Sequence, residues 1–467
     1  MTWRIALAGL ITLMVSLTDG ITIAGAERPN FVIFMTDDQR ADALSCAGNR
    51  MLKTPHIDSI AQGGMRFRNA FVTNSLCAPS RATLLTGVYS HVHGVIDNKN
   101  RRIPADMPIL SDYLRQAGYL VAFCGKSHVA GALRDRTWDY YFGYQGQGAY
   151  INPRIAEGTQ GKDLLYEGYM DDIVTEKAVQ WLKQKHERPF CLFLWFKAPH
   201  RPWIRAPRHA ALFRDISIPK PPTYDLRALG SPGKPRAFHE ADNRIGSFPD
   251  VPNLDQFVKD YYATIVAVDE NVGKVLEALK ETNQLEKTAI FYTSDNGFFL
   301  GEWQAFDKRF MHEPSIRVPL LVRYPRLIRA NSACDKMVLN LDIAPTILEL
   351  AGVAIPDSMQ GRSFVPLLRG QEPKDWRTDW LYEYYEYPGP HRVRKHRGIR
   401  TERYKLIHYY EAPEEFELYD LQTDPEERNN LYGKEGTEEL VKRLRQRLDE
   451  LRRQTRDPEL NAPNPEN

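Results

Sequence analysis

Four times in this chain a short, uninterrupted run of apolar residues ends abruptly in polar, chemically useful ones. NFVIFMTDDQR runs from Phe31 to Met35 and then into Asp37 and Asp38, and GYLVAFCGKSH runs from Tyr119 to Cys124 and then into Lys126 and His128. PFCLFLWFKAPH runs from Phe190 to Phe196 and then into Lys197 and His200, and TAIFYTSDNG runs from Ala289 to Thr293 and then into Asp295 and Asn296. Runs of this length without apolar–polar alternation suit strands covered on both faces, the strands of parallel sheets. Helix-like segments such as MPILSDYLRQAG and DDIVTEKAVQWLKQK lie between them. The alternation predicts an α/β fold with a mostly parallel sheet, and in such sheets sites form at the carboxyl ends of the strands. The four polar clusters should therefore converge on one edge.

The clusters differ in chemistry. Asp37, Asp38, Asp295 and Asn296 are hard oxygen donors, suited to calcium or magnesium and poorly suited to zinc or copper. Lys126, His128, Lys197, His200 and, further on, Lys308 are cations or proton donors. Lys197 is read equally as a site residue and as a solvated strand-end lysine. A divalent cation among further positive groups suits a multiply anionic oxygen compound such as a phosphate or sulfate ester.

The stretch SLCAPSRATLLTG puts Cys77 into this context. Pro79 favours the first helical position and Gly87 closes the short helix, so Cys77 falls at or just before a helix N-terminus, where anions are favoured and Arg81 adds a positive fork. A thiolate there is a poor companion for hard metal ligands. An oxygen nucleophile at this place is more consistent with its surroundings.

CAPSRATLLTG resembles the signature of the formylglycine-dependent (type I) sulfatases, Cys-x-Pro-Ser-Arg-x-x-x-Leu-x-Gly, and DD, GKSH, KAPH, SDNG and DKR follow in that family's order over roughly residues 28 to 432. The resemblance implies an alkaline-phosphatase-like α/β sandwich with a large, mostly parallel sheet flanked by helices, and a smaller C-terminal α+β domain with a short antiparallel sheet. It implies oxidation of Cys77 to formylglycine by a maturation enzyme. It also implies a calcium ion held by Asp37, Asp38, Asp295, Asn296 and the modified Cys77. Arg81, Lys126 and Lys308 then neutralise the sulfuryl oxygens, His200 or Lys308 protonates the departing alcohol, and His128 takes the proton that lets sulfate leave.

The stretches TWDYYFGYQGQGAYINP, KAPHRPWIRAPRHAALF and YYEYPGPHRVRKHRGIRTERYKLIHYYE resemble sulfatases that act on carbohydrate, nearest the N-acetylglucosamine-6-sulfatases. The substrate implied is a sulfated glycan, with the 6-O-sulfate of N-acetylglucosamine as the candidate ester. His91 and His93 read as loop or substrate contacts rather than a metal pair. His93, Asn98, His391, Arg392 and His396 are the candidate substrate contacts, with Arg394 and Arg397 completing a basic cluster. Trp138, Tyr140, Tyr141 and Trp203 are candidates for stacking on sugar rings. Two rivals stand beside this reading: a phosphomonoester or phosphonate hydrolase on the same scaffold, and a non-catalytic sulfated-glycan-binding protein with an unmodified Cys77.

Organisation follows from composition and punctuation. Arg4, an apolar run from Ile5 to Leu17 and Ala24-Gly25-Ala26 read as a secretory signal over residues 1–26, which places the mature protein outside the cytoplasm, periplasmic or secreted. Lys and Arg number 62 against 60 Asp and Glu, so no global field draws the chain to nucleic acid or to a membrane surface. Cysteines at 46, 77, 124, 191 and 334 are sparse and lack CxxC spacing, which argues against a zinc or disulfide scaffold and leaves the pairing of Cys46, Cys124, Cys191 and Cys334 open. A catalytic domain over 27–370 and a C-terminal subdomain over 371–467 are expected. Residues 218–252 form a Pro- and Gly-rich excursion at the rim of the cleft. Leu440, Leu444, Leu448 and Leu451 mark a terminal amphipathic helix followed by a frayed end.

Overall fold

A computed structural model describes residues 28–460, except 100–101, 130–132, 228–229 and 231–232. The expected secretory signal and the last seven residues lie outside the described residues. Each apolar run forms a strand: β1 (Asn30–Thr36), β2 (Leu120–Lys126), β4 (Phe190–Trp195) and β5 (Thr288–Ser294), with β3 (Tyr140–Tyr144) between β2 and β4 in the chain. They lie in the order β5-β1-β4-β2-β3, all parallel, at the centre of a ten-stranded sheet. Antiparallel strands extend it on both sides, Leu320–Arg323 beside β5 and Arg154–Glu157 beside β3.

Parallel strands need helical crossovers, and the helices cover both faces. Successive residues of one strand divide between two cores, as their period of two requires. Phe31, Ile33 and Met35 face the side where α1 (Cys77–Thr86) packs through Ala78, Ala82 and Leu85. Val32 and Phe34 face the side covered by α2 (Met170–Leu182) and α3 (Leu254–Glu281), which also pack on each other. All five cysteines are free thiols, and Cys191 and Cys124 lie on opposite faces of the sheet.

A second sheet of four antiparallel strands, Asp379–Tyr384, His396–Thr401, Tyr404–Tyr409 and Glu415–Asp420, packs under the terminal helix α4 (Glu438–Gln454). Leu444, Leu448 and Leu451 of α4 are buried there, at the helical spacing seen in the sequence. The same core takes in Phe71, Leu76, Phe299 and Phe310 from the larger part of the chain, so the small sheet is packed directly behind the strand ends. The 218–252 excursion is anchored twice. Ile218 and Val251 pack against Phe257 and Tyr261 of α3, while Lys234 Nζ donates to Tyr419 Oη at 2.5 Å and to Glu417 Oε2 at 3.1 Å inside the small sheet. Among the described residues no helix is long and apolar enough to cross a membrane.

His91 ties the two parts together. Its Nδ1 lies 2.6 Å from Glu383 Oε2 and its Nε2 lies 2.8 Å from the Thr455 carbonyl at the end of α4. Two acceptors facing both ring nitrogens require the doubly protonated imidazolium. Burial opposes that charge, but Glu383 outweighs burial and the imidazole is pushed up to about 9 from 6.5. Because the folded state holds this proton more tightly, the contribution to stability is complete below pH 6.5 and is lost as pH rises through about 9. His91→Gln should lower stability at pH 6 by about 2 kcal/mol and flatten the loss between pH 7 and pH 9. Thermal unfolding of wild type and variant across that range measures both effects.

Candidate active site

The sheet order brings the four polar clusters to one edge, because β5, β1, β4 and β2 are consecutive neighbours running in the same direction. Asp37 and Asp38 follow β1, Lys126 ends β2, Lys197 lies two residues past β4, and Asp295 and Asn296 follow β5. Two backbone features set the edge. Gly125 has φ +113° and a Cβ there would stand 1.9 Å from the Trp195 carbonyl oxygen, so only glycine lets β2 lie this close to β4 just before Lys126. Asp38 is left-handed at φ 74°, held by its N–H donating to Asp295 Oδ1 at 3.0 Å and by Tyr261 Oη donating to its carbonyl at 2.7 Å. A strained non-glycine residue at such a place is characteristic of functional sites.

Cys77 is the first residue of α1, two residues ahead of Pro79 and at the helix N-terminus where the sequence reading puts it. Pro79 still falls in the first turn, where its missing N–H has no partner to lose. The side chain is completely buried, with Sγ 3.3 Å from Asp37 Oδ1. Burial and the negative charge of Asp37 hold the thiol well above its usual range. These surroundings disfavour the thiolate despite the helix N-terminus. One turn along, Arg81 reaches Asp295 Oδ2 through Nε and Nη2, both at 2.9 Å, and the Lys126 carbonyl through Nη1 at 2.7 Å. Its guanidinium lies over the Trp195 ring.

Carboxylate oxygens of Asp37, Asp38 and Asp295 lie within 4.8 Å of one another, all buried. Such a set repels itself. Burial and Asp37 push Asp295 up to about 7, against the pull of Arg81. Asn296 donates through Nδ2 to Asp38 Oδ1 at 2.7 Å, while its Oδ1 is buried with no hydrogen-bond partner. Three crowded carboxylates and an orphaned amide oxygen form a hard-donor cradle that suits a divalent cation such as calcium or magnesium.

The positive groups surround the cradle. Lys126 Nζ contacts Asp37 Oδ2 and donates to Gln147 Oε1 at 2.6 Å. Lys308 Nζ is 2.7 Å from Asp38, and although burial opposes its charge, Asp38 holds it well above the usual lysine range. Lys197 is fully buried rather than solvated, with Nζ 2.8 Å from the Gln147 carbonyl; burial and Lys126 push it down to about 8. Burial and Lys126 also hold His200 well below its usual range. Its Nδ1 lies 2.5 Å from the Arg201 carbonyl, so the neutral ring donates there and leaves Nε2 to accept, 3.8 Å from Asp38 Oδ2. His128, almost fully buried, lies two residues past β2 with φ 48°.

The candidate substrate contacts divide. Asn98 stays at the edge of the site, its Oδ1 accepting from the Ala78 N–H at the start of α1. His391 lies between Asp242 and Asp307, next to Lys308, and Arg392 beside it is exposed. His93 is not brought to the site: it is buried behind α1, bonded to Thr83 Oγ1 and the Val95 N–H, and burial pushes it down to about 3. Nor is His396, which lies inside the small sheet among Phe310, Tyr382, Tyr384 and Tyr409. The basic cluster is also neutralised locally, Arg394 by Glu240 and Arg397 by Asp457 and Glu459. Trp138, Tyr140, Tyr141 and Trp203 pack against other aromatic rings of the cores rather than lining a sugar site.

The structure adds residues that pattern did not mark. Arg309 pairs with Asp307 and Glu386, and Glu386 Oε1 accepts from the Asn98 N–H at 3.2 Å. Gln147 contacts two of the lysines. Arg309 sits in the DKR motif and could have been suspected, but Glu386 reaches the site across nearly three hundred residues of sequence and left no local signal.

Residues 29–353 match the sulfatase family pattern, and residues 301–454 match one described as N-sulphoglucosamine sulphohydrolase, C-terminal. An N-acetylglucosamine-6-O-sulfatase of Bacteroides thetaiotaomicron is 37% identical over 92% of this chain and 87% of its own length. The human N-acetylglucosamine-6-sulfatase is 31% identical over 77% of this chain and 68% of its own. A solved structure of a protein in complex with its substrate D-glucosamine-2-N,6-O-disulfate aligns with TM-score 0.87 at 36% identity, covering 92% of this chain and 99% of that one. The fold is accordingly the alkaline-phosphatase-like sandwich, and the chain belongs to the sulfatase family, whose members hydrolyse sulfate esters.

Proposed function

We propose that this protein is an exported, calcium-dependent sulfatase that removes the 6-O-sulfate of glucosamine residues in sulfated glycans, using formylglycine made from Cys77. The observation that carries the reading is the meeting of Cys77, a hard-donor cradle and four buried cations, Arg81, Lys126, Lys197 and Lys308, around one helix N-terminus. The names of the relatives support the choice of sugar.

Asp37, Asp38, Asp295 and Asn296 would hold the calcium ion, which supplies positive charge against the sulfuryl oxygens. Formylglycine in its hydrated form supplies an oxygen nucleophile and a route for sulfate release that a plain alcohol lacks. Such an oxygen also suits the hard donors around residue 77 better than the thiol does.

The remaining steps belong to the side chains described above. Arg81, Lys126 and Lys197 bind the sulfuryl group as fixed positive charges in a site without bulk water, where charge stabilisation is strongest. Lys308, held protonated by Asp38, gives a proton from Nζ to the departing sugar oxygen. His200, neutral with Nε2 free to accept, orients rather than donates, which moves the acid role from the His200-or-Lys308 pair to Lys308. His128 takes a proton before sulfate leaves. Asn98, His391 and Arg392 at the edge contact the sugar.

Two outcomes are expected. Calcium at about one hundred times its dissociation constant should stabilise the protein by about 2.7 kcal/mol, read as a higher melting temperature, and Asp295→Ala should abolish that gain. Stabilisation by zinc but not calcium would contradict the hard-donor cradle. Cys77→Ser should cut turnover of glucosamine 6-sulfate by about 10³-fold or more with the melting temperature kept, because a serine can accept the sulfuryl group but not release it. Steady-state rates on aryl sulfate and aryl phosphate complete the test, and a large preference for phosphate defeats the sulfatase reading.

A further inference from the structure

Gln147 lies on an exposed turn, yet it contacts two fully buried ammonium groups. Its side-chain Oε1 accepts from Lys126 Nζ at 2.6 Å, and its backbone oxygen accepts from Lys197 Nζ at 2.8 Å. The sheet makes this possible. Tyr144, the last residue of β3, is in register with Lys126 at the end of β2, and β4, which leads to Lys197, is the next strand over. Three residues past Tyr144 the chain folds back over its neighbour strand and reaches the one beyond. Gly146 and Gly148, at φ 72° and 62°, shape the fold-back, and a Cβ on Gly148 would stand 2.5 Å from the Tyr144 ring and 2.9 Å from Met170 Cε. The turn then closes on the site again through Tyr150, whose Oη donates to the His200 carbonyl at 2.6 Å and whose ring lies 4.6 Å from Lys197 Nζ.

Two like charges held close in a medium of low polarisability repel one another strongly, so something must fix them without cancelling them. Asp37 already sets one carboxylate against Lys126, and a second at position 147 would take away more of the positive charge that an anionic ligand needs. A neutral amide with two carbonyl oxygens orients each ammonium and leaves the field intact. Lysine only donates, so the contact with Lys126 also fixes which way the Gln147 amide points.

We infer that Gln147 is a positioning residue for the sulfuryl site: its two carbonyl oxygens aim Lys126 and Lys197 at the anion without adding to the negative charge that Asp37 already sets against Lys126. The inference deepens the sulfatase reading and rests on it. It predicts a role for neutrality as well as for hydrogen bonding, which a merely structural contact would not have.

The test compares the mature protein with Q147L, which keeps the size and removes the side-chain acceptor, and Q147E, which keeps the acceptor and adds a negative charge. Affinity for inorganic sulfate is read by titration calorimetry, which needs no turnover, and melting temperature is followed in parallel. Sulfate affinity should fall about tenfold in Q147L, the size expected for one lost hydrogen bond to a charged group, and further in Q147E, with melting temperatures close to wild type. Affinities within about twofold of wild type in both variants overturn the inference, as does a loss that follows a fall in melting temperature, or a Q147E that binds sulfate as wild type does. Turnover of glucosamine 6-sulfate by the wild type separates the two claims: its absence defeats the functional reading, whereas turnover with unchanged sulfate affinity in the variants defeats only the role of Gln147.

Discussion

The structure depends on a balance of buried charge at one sheet edge. Asp37, Asp38 and Asp295 lie against Arg81, Lys126 and Lys308 with almost no solvent between them. Removing one partner from such a set leaves an uncompensated buried charge, at a cost of about 3–5 kcal/mol. Because every member is paired, the edge tolerates burial, and because the carboxylates are still crowded, it retains room in its electrostatics for a further positive charge. The hydrophobic cores on both faces keep the strand ends in register, so the balance is held by packing that lies elsewhere in the molecule.

That packing explains why the small C-terminal sheet belongs to the site as much as the large one. Its core is continuous with residues just behind the strand ends, and Glu386, past its first strand, closes on Asn98 and Arg309. His91 and Lys234 act as buried ionic ties, the first holding the segment after α1 to the small sheet and α4, the second holding the 218–252 excursion to the small sheet. Three separate parts of the chain are thus tied to one another at the small sheet.

The histidines show where reading the sequence succeeds and fails. His200 and His128 follow apolar runs at strand ends, and the sheet carries them to the edge. His93 and His396 carry the same side chain in stretches that look equally polar, yet one is buried behind α1 and the other inside an aromatic core. Nothing local separates a histidine that faces a cavity from one that faces a ring of tyrosines. Arg394 and Arg397 part from His391 and Arg392 for the same reason, since the carboxylates that neutralise them come from Glu240, Asp457 and Glu459, far off in sequence.

The sequence by itself determined the strand positions, the parallel α/β class, the polar residues delivered to the carboxyl edge and the family to which the chain belongs. Each of these is written in local patterns: runs of apolar residues, turn and cap residues, and the spacing around Cys77. The tertiary structure alone decided which polar side chains share a charge environment, that Lys197 is buried, that His200 is neutral, and that Gln147 and Glu386 join the site. Those outcomes follow from distances between strands and loops remote in sequence, and electrostatic energy depends on distance in space rather than on separation along the chain.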